Sequence, residues 1–532
     1  MNVRLFTATA AVALLMGLGA SAQAATTTLR YCSEGSPEGF GPQLYDSGTT
    51  LDAVRPVFNR LVEIKFGTTD PMPSLAEKWE VSDDGLTYTF HLRKGVKFQT
   101  IKGFKPTREL NADDVVFSFN RMLDKSNPYH DVNGGSYAYF EGMGMPDTMK
   151  SVEKVDDMTV KVTLNHAEAP FISEVAMEWA SILSKEYADK LEKENKKEQI
   201  DQIPVGTGPF TFVDYQKDAV IRYKANPEYW RGKQKIDNLV FAITKDPAVR
   251  KAKLEAGECD IMPYPAAADV AALKADPKLK VMESPGLNIA YLTMNATKPP
   301  FDNKTVRQAI NMAINKDAII KAEYMGGAVA AKNPLPPTIW GYNDAVQPYP
   351  YDPDKAKQML EAAGVKDLSV DLWYQPVSRP YNLDGKTMGQ LMQADLEKVG
   401  IKANLVTYDW AEYLKRLHAG EAPMAQIGWT GDIGDPDNFL YLHGCGGTGT
   451  PPGQNNEKWC NNDYDAMLKQ AKETSDQAQR TAIYAKAEQL LHDEAAIVPI
   501  VHSVVYMPMS TKVEGYVMDP LGFHNFEGVS KK

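Results

Sequence analysis

Hydrophobic and polar residues alternate along two stretches in the first half of the chain. The segments 86–98 (LTYTFHLRKGVKF) and 159–166 (TVKVTLNH) both begin with an apolar residue at every second position. A period of two is typical of a strand with one buried face, as in many antiparallel sheets. We therefore expect residues 59–206 to contain half-buried antiparallel strands.

From about residue 286 the pattern changes to strands that alternate with helices. Buried strands are predicted at 287–295, 368–374, 401–408 and 424–430, and helices at 302–320, 386–399 and 410–419. Gly400 should end the second of these helices, while Asp409 and Glu412 predict a capping box at the start of the third. Alternation of this kind predicts a mostly parallel sheet.

Ligands of parallel α/β sheets bind beyond the carboxyl ends of the strands. Three predicted loops leave those ends, at 375–385, 409–410 and 431–438. They should bring Arg379, Trp410, Trp429 and Asp432 to one edge of the sheet. A cation, an anion and two indoles at one edge indicate a binding site. The alternative is a solvated rim with two core tryptophans.

The segment 428–438 (GWTGDIGDPDN) concentrates three carboxylates among glycines. Its spacing excludes an EF-hand, whose loop needs a Glu at position twelve, because that position counted from Asp432 is His443. Asp435 and Asp437 flank a proline and are expected to be turn and helix-cap residues. Turn geometry leaves Asp432 without an explanation.

The composition limits the classes of function. A chain of 532 residues with 43% hydrophobic residues can form about two to four domains. The formal net charge of −11 argues against nucleic acid or an anionic membrane surface as a partner.

The first 24 residues have the features of a secretory signal peptide. Arg4 gives the positive start, residues 10–18 (AAVALLMGL) are apolar, and the A-Q-A motif at 22–24 predicts cleavage after Ala24. The apolar run is shorter than the roughly 18 residues that a membrane span needs, and no later segment reaches that length. We expect an exported protein without direct membrane insertion.

Four cysteines in an exported chain predict oxidation, with three pairings to choose from. Cys445 and Cys460 enclose a segment rich in Gly, Pro and Asn, so a bridge there would order it and stabilise the fold by about 3 kcal/mol. That pairing leaves Cys32 with Cys259. A metal site of His443 with Cys445 and Cys460 is the disfavoured alternative, because it lacks a C-x-x-C pair.

The sequence contains neither the G-x-S-x-G nor the H-E-x-x-H signature of exported hydrolases. The GKT at 385–387 resembles the end of a phosphate-binding loop, but Pro380 stands where that loop requires glycine. An exported peptidase is the enzymatic alternative, and it would need a nucleophile or metal set that the sequence does not contain. No catalytic residue, metal or cofactor is predicted.

A non-covalent ligand that carries both charges fits Asp432 and Arg379. A carboxylate accepts charge-assisted hydrogen bonds from an ammonium, and an arginine fork binds a carboxylate. The termini of an extended dipeptide are separated by about 7 Å. Two fixed and opposite charges would thus select short peptides by length.

Eight segments of this chain resemble one family, the peptide/nickel class of solute-binding proteins that serve ABC importers of Gram-negative bacteria. The blocks at 75–98 and 109–121 are typical of the class, while PVSRPYN (376–382) with GWTGD (428–432) indicates its dipeptide branch. The resemblance covers essentially the whole mature chain; the other segments that carry it are 31–50, 58–63, 205–210, 306–320 and 428–439.

The resemblance implies an α/β architecture of two lobes, the type II or Venus-flytrap fold, with an extra α+β domain inserted in the first lobe. Two crossover strands near 284–288 and 500–505 would form the hinge. The implied first lobe consists of 25–58, 207–285 and 503–532, with 59–206 as the inserted domain and 286–502 as the second lobe.

The resemblance also implies roles for the site residues. Asp432 would bind the peptide ammonium and Arg379 the carboxylate, with Asp46 departing from the family pattern and favouring cationic side chains. The backbone of Ser47, Gly48, Thr430 and Gly431 would pair with the peptide bond, and Pro380, Tyr381, Trp410 and Trp429 would complete the site. Two disulfides, Cys32–Cys259 and Cys445–Cys460, agree with the family.

The implied function is capture of dipeptides, and of some tripeptides, by a periplasmic monomer that delivers them to an inner-membrane ABC permease. A chemoreceptor is a further partner that the resemblance allows. Other solutes within the reach of this scaffold are haem, 5-aminolevulinate, an oligopeptide or a metal chelate. Sequence leaves these alternatives open.

Overall fold

The structure, a computed structural model, describes residues 26–445 and 455–532. The predicted signal peptide and its cleavage site lie outside the described residues. Within the described ranges, no helix is long and apolar enough to cross a membrane.

The strands are short, with one exception of fourteen residues near the C terminus. In chain order they are β1 (Thr28–Tyr31), β2 (Val62–Ile64), β3 (Pro71–Pro73), β4 (Ala76–Val81), β5 (Thr87–Leu92), β6 (Met149–Asp156), β7 (Thr159–Leu164), β8 (Phe210–Gln216), β9 (Val220–Ala225), β10 (Asn238–Ala242), β11 (Leu279–Pro285), β12 (Asn288–Met294), β13 (Ala328–Ala330), β14 (Leu368–Trp373), β15 (Ile401–Val406), β16 (Met424–Thr430), β17 (Ile497–Ser510), β18 (Val513–Glu514) and β19 (Ser530–Lys531).

The α-helices are concentrated in the second half of the chain, where they alternate with strands. They are α1 (Gly48–Val54), α2 (Ala112–Leu123), α3 (Ala138–Gly142), α4 (Met145–Thr148), α5 (Phe171–Glu174), α6 (Lys185–Lys193), α7 (Pro247–Glu255), α8 (Val270–Ala275), α9 (Lys304–Ala313), α10 (Lys316–Glu323), α11 (Pro353–Ala362), α12 (Gly385–Lys398), α13 (Trp410–His418), α14 (Asp437–Leu440), α15 (Asn462–Glu473) and α16 (Gln477–Asp493).

The prediction of half-buried antiparallel strands in 59–206 is confirmed. A four-stranded sheet of order β4-β5-β7-β6 is antiparallel throughout. Along β5 and β7 buried residues alternate with partly exposed ones. The period of two in the sequence therefore reflects a sheet with one buried face.

A second sheet joins β1 to β10, β9 and β8, with only β1 and β10 parallel. Single bridges through Ile261 link β1 to the C-terminal half of β17, which pairs with β11. Segments that are far apart in the chain, near its beginning, middle and end, thus form one body.

The third sheet has the order β17-β12-β16-β14-β15, with β13 on β17. Its four predicted strands are present, but the prediction of a mostly parallel sheet is wrong. β14 is parallel to β15 and β16, whereas β12 is antiparallel to β16 and to β17. The strands that run parallel, β14, β15 and β16, are those linked by the helical crossovers α12 and α13. β12 and β17 lie outside these crossovers, since β12 follows β11 directly and β17 follows α16.

Two neighbouring connections pass from the second sheet to the third. β17 pairs with β12 as far as Val501 and with β11 from Val504 onwards, so one strand belongs to both sheets. Beside it, β11 ends at Pro285 and β12 begins at Asn288. Gly286 is required there, since a Cβ at this position would lie 2.0 Å from the Asn288 side-chain nitrogen.

The predicted helix 302–320 is in fact two helices, α9 and α10. Ile314 is extended (ψ 121°), and the Asn315 side chain accepts a hydrogen bond from the Ala318 amide at 3.0 Å and so caps α10. The predicted end of α12 at Gly400 is confirmed by a φ of +86°.

The predicted capping box of α13 is wrong. Asp409 is the N-cap residue, but its side chain makes no capping hydrogen bond. Glu412 instead lies 4.0 Å from Arg416 on the next turn of the helix. An ion pair within the helix has replaced the reciprocal cap.

Two disulfides are present, Cys32–Cys259 and Cys445–Cys460. His443, which the alternative metal site would have used, is buried and lies 2.6 Å from the Glu457 carboxylate. Among the residues that the structure describes, no group of three His, Cys, Asp or Glu side chains could hold a metal ion.

Candidate functional site

Residues from both sides of the two connections enclose a cavity of about 100 Å³. One wall includes the segment before α1, α1 itself and the C-terminal residues 521–523, and the other includes the loops after β14, β15 and β16. Of the predicted site residues, those that line this cavity are Asp46, Ser47, Gly48, Arg379, Pro380, Tyr381, Trp410, Trp429, Thr430 and Asp432.

The parallel part of the third sheet explains why the second wall is formed. β14, β15 and β16 point their carboxyl ends to the same edge, so the loops that follow them meet there. Along α13, Trp410, Leu414 and His418 are four residues apart and share the face that lines the cavity. The sequence prediction of this edge is correct although the sheet is mixed.

Gly431 is the exception among the predicted residues. Its amide donates to the Leu287 carbonyl at 2.8 Å, and a Cβ there would lie 2.9 Å from the Phe439 ring. The amide hydrogen is used within the fold, so the expected pairing of the Gly431 backbone with a ligand would have to use its carbonyl oxygen.

Arg379 is held in a tight turn, in which its amide donates to the Asn382 carbonyl at 2.7 Å. Its buried guanidinium donates from Nη1 to Glu34 Oε1 at 3.1 Å and to Thr49 Oγ1 at 3.0 Å. The guanidinium carbon also lies 5.1 Å from the centre of the Trp410 ring. Arg379 therefore bridges the two walls, and its ion pair with Glu34 is a feature that the sequence analysis missed.

Asp432 lies just beyond β16, and only 6% of it is exposed. Asn438 fixes the segment, because its side-chain oxygen accepts from the Asp432 amide at 2.8 Å and from Trp429 Nε1 at 3.1 Å. Asp432 Oδ2 has no hydrogen-bond partner within the described ranges. Burial raises the pKa of this carboxyl well above its usual value, although a hydrogen bond with Tyr139 opposes the shift.

Asp46 precedes α1 on the opposite wall. Enclosure in the cavity raises the pKa of its carboxyl to about 6, against the lowering effect of Arg379. The Tyr139 hydroxyl donates to the Asp46 carbonyl oxygen at 3.3 Å. Tyr139 therefore connects the surroundings of both aspartates.

Asp435 and Asp437 do not line the cavity. The Asp437 amide donates to Asp435 Oδ1 at 3.0 Å, as expected for a turn, but Asp437 is the first residue of α14 and does not cap it. The Asp435 carboxylate pairs with Arg480 at 2.8 Å and that of Asp437 lies 3.7 Å from Lys472. These ion pairs were not apparent from the sequence.

The sequence analysis also missed lining residues from elements that carry no loop or charge signal. Asp52 lies in α1 and Arg55 is the C-cap residue of that helix, while Tyr139 and Tyr264 come from segments far away in the chain. Only the position of the inward face of α1 could have indicated the first pair. The other residues missed are Leu51, Tyr291, Leu414, His418, Ile427, Gly428, Leu442, Asn456, Leu521, Gly522 and Phe523.

The chain matches the family model described as "Bacterial extracellular solute-binding proteins, family 5 Middle" over residues 70–450. It is 55% identical to the dipeptide-binding protein of Escherichia coli over 518 residues, which are 97% of this chain and 96% of that protein. It is 50% identical to heme-binding protein A of Haemophilus influenzae over 506 residues, 94% of this chain and 92% of that protein.

A similar solved structure is the dipeptide-binding protein of Pseudoalteromonas sp. SM9913 in complex with Met-Leu. Its TM-score is 0.91 at 37% sequence identity, and the match covers 95% of this chain and 100% of that one. The two-lobed α/β fold that the resemblance implied is thereby confirmed. The matched family is one of solute-binding proteins.

Proposed function

Because this chain belongs to family 5 of the bacterial extracellular solute-binding proteins, we propose that it is the dipeptide-capturing component of an ABC importer. It binds dipeptides, and some tripeptides, between its two lobes and delivers them to an inner-membrane permease. The observation that carries this proposal is that one cavity is lined by both a buried aspartate, Asp432, and a buried arginine, Arg379. The protein acts by binding and release, without catalysis.

The charges suit the two ends of a short peptide. Asp432 Oδ2 accepts from the ligand ammonium, which supplies the hydrogen bond and the positive charge that this buried carboxylate lacks. Arg379 binds the ligand carboxylate with the part of its guanidinium that Glu34 and Thr49 do not use. Longer peptides overshoot one of the two groups.

The lobes follow the sheets. The first lobe consists of 25–58, 207–285 and 503–532 with β1 and β8–β11, and the inserted domain of 59–206 carries β4–β7. The second lobe, 286–502, carries β12–β16, and β17 runs through both lobes. The connections at 285–288 and 501–504 are the hinge.

The protein works as a monomer in the periplasm after signal-peptide cleavage behind Ala24. Membership in a family of bacterial extracellular solute-binding proteins supports that location. The permease is its principal partner, and a chemoreceptor is a second one.

Haem is the second candidate ligand, because the relative from Haemophilus influenzae is named a heme-binding protein. A cavity of about 100 Å³ favours a small ligand, since pockets for drug-sized molecules measure about 300–1,000 Å³. The dipeptide is therefore the better candidate.

Calorimetric titration of the ligand-free protein tests the proposal. Ala-Ala should bind, whereas alanine, N-acetyl-Ala-Ala and tetra-alanine should bind at least about tenfold more weakly, since each loses one terminal contact. Recovery of Ala-Ala intact by mass spectrometry excludes peptidase activity. Failure of Ala-Ala to bind, with tight binding of haemin, would replace the first candidate by the second.

A further inference from the structure

The backbone around Arg379 forms a narrow turn. The Arg379 amide donates to the Asn382 carbonyl at 2.7 Å, and the Asn382 amide donates back to the Arg379 carbonyl at 3.1 Å. Pro380 and Tyr381 form the tip of this turn, and both line the cavity. The direction of the Arg379 side chain therefore depends on how the tip is fixed.

Two hydroxyl groups hold the tip of the turn. The Tyr324 hydroxyl donates to the Tyr381 carbonyl at 2.5 Å, and Ser503 Oγ donates to the Pro380 carbonyl at 2.5 Å. Tyr324 is the C-cap residue of α10, whereas Ser503 belongs to β17. The turn is thus fixed both by a helix of the second lobe and by the strand that crosses between the lobes.

Ser503 lies at the crossing itself. β17 pairs with β12 as far as Val501 and with β11 from Val504 onwards. Asn288 on the neighbouring connection binds the Ser503 backbone twice, since its Oδ1 accepts from the Ser503 amide at 2.9 Å and its Nδ2 donates to the Ser503 carbonyl at 3.3 Å. Ser503 is therefore bound to both connections, and its orientation follows the angle of the proposed hinge.

The Ser503 hydroxyl has two acceptors within reach. Pro380 O is 2.5 Å away and Asn288 Oδ1 is 3.3 Å away. A serine hydroxyl has one hydrogen, so it donates fully to one of them, and the shorter distance selects Pro380. A rotation that moves the Arg379 turn away from β17 would leave Asn288 as the acceptor, because Asn288 stays attached to Ser503.

We propose that Ser503 is a positioning residue that fixes the Arg379 turn when the lobes close and thereby sets the affinity for the ligand carboxylate. This inference rests on the proposed function, in which Arg379 binds that carboxylate. Ser503 is buried and does not line the cavity, so it acts on the ligand only through Arg379.

The test compares Ala-Ala with its C-terminal amide, which has the same shape without the carboxylate charge. Calorimetry on both ligands gives an acid-to-amide affinity ratio, which we expect to be about tenfold or more in wild type. Ser503→Ala should lower this ratio about three- to tenfold, because it removes one hydrogen bond from the turn. Ser503→Thr keeps the hydroxyl and should restore the ratio. A general loss of stability would weaken both ligands and leave the ratio unchanged.

Ser284→Ala is the matched control. Ser284 pairs with Val505 in the neighbouring strand β11, and its hydroxyl donates to the Pro285 carbonyl at 3.2 Å. This variant should keep the wild-type ratio, and a reduced ratio in it would assign the effect to the flexibility of the hinge and overturn the inference.

An unchanged ratio in Ser503→Ala, with Ala-Ala still bound, would overturn the inference and leave the proposed function intact. A wild-type protein that does not bind Ala-Ala at all would instead overturn the proposed function, and this inference with it.

Discussion

Asp432 is a buried carboxylate with one oxygen that lacks a hydrogen bond within the described chain, an arrangement that costs about 1–3 kcal/mol. Asp432→Asn keeps the shape and removes the charge. It should weaken dipeptide binding by roughly 2–5 kcal/mol, about 30- to several-thousand-fold. Acetylation of the ligand amine should weaken wild type by a similar factor.

In the variant, acetylation should matter much less, because the two changes remove the same interaction and should not add. Calorimetry on the four combinations measures this coupling. If the losses of binding free energy from the substitution and from acetylation simply add, Asp432 does not bind the ammonium.

The ion pair between Arg379 and Glu34 gives a second residue-scale prediction. Arg379→Met removes the carboxylate-binding group and leaves Glu34 buried without its cation, which should also cost roughly 3–5 kcal/mol of folding stability. Adding Glu34→Gln should restore most of the lost melting temperature and none of the lost affinity. A double variant that binds dipeptides like wild type would exclude Arg379 from ligand binding.

At the residue scale, sequence reasoning located Arg379 and Asp432 because both follow strands whose ends meet. It could not locate Glu34 or Tyr139, which come from distant segments without periodic pattern or charge cluster. Their place depends on how the two walls meet, and that is a property of the packed molecule.

At the element scale, β16 needs a glycine where it passes the site. A Cβ at Gly428 would lie 2.2 Å from the Ile289 carbonyl oxygen and 2.4 Å from the Tyr381 ring. Gly428→Ala should therefore lower the free energy of unfolding by about 1–3 kcal/mol and weaken dipeptide binding, because Tyr381 must move.

Thermal unfolding and calorimetry measure the two effects of Gly428→Ala. Gly35→Ala is the control, since its Cβ would meet its nearest neighbour, Thr49, at an ordinary contact distance of 3.4 Å. Equal melting temperatures for the two variants would contradict the close approach of β16 and Tyr381.

The elements themselves were largely predictable, and their directions were not. Alternation identified β5 and β7, and α12 ends at its glycine. The antiparallel entry of β12 and β17 into the third sheet has no local signal, because it depends on segments on either side of the hinge. The break between α9 and α10 at Asn315 was missed because the apolar spacing continues across it.

At the scale of the whole molecule, Lys472 on the second lobe reaches the inserted domain. Its ammonium donates to the Met143 carbonyl at 2.9 Å and lies 3.0 Å from Glu168 and 3.8 Å from Glu174. The Asp437 carboxylate also faces the Lys472 ammonium, at 3.7 Å. Asp435, paired with Arg480, is a further acid near this cluster. Closure of the lobes therefore buries several acids around one lysine.

This cluster predicts a pH dependence of ligand binding. Burial raises the pKa of Glu168 to about 7, against the lowering effect of Lys472, whereas a glutamate in an open and solvated cleft titrates near ~4.3. Closure of the lobes therefore takes up a proton at Glu168 when the pH lies between about 4.3 and about 7. This contribution should strengthen dipeptide binding at pH 5 relative to pH 7 and become constant above about pH 7.

Glu168→Gln tests this contribution while it leaves Asp432 and Asp46 unchanged. It also removes the carboxylate that helps to raise the pKa of Glu174, so the variant reports on this pair of glutamates together. Affinities measured from pH 5 to 8 should fall more steeply with rising pH in wild type than in the variant. Parallel pH profiles for the two proteins would show that Glu168 does not change its protonation state on closure.

β17 and the neighbouring β11–β12 connection cross between the lobes side by side, bonded to each other on both sides of the crossing. Two lobes joined by such a pair of strands can rotate relative to each other about one hinge axis. A twist or a translation of one lobe against the other would strain both connections at once. A rotation about the hinge axis strains neither of them. The difference between the open and closed forms is then described by a single rotation angle. A peptide bound to either wall of the cavity therefore reaches the opposite wall by rotation along that one coordinate.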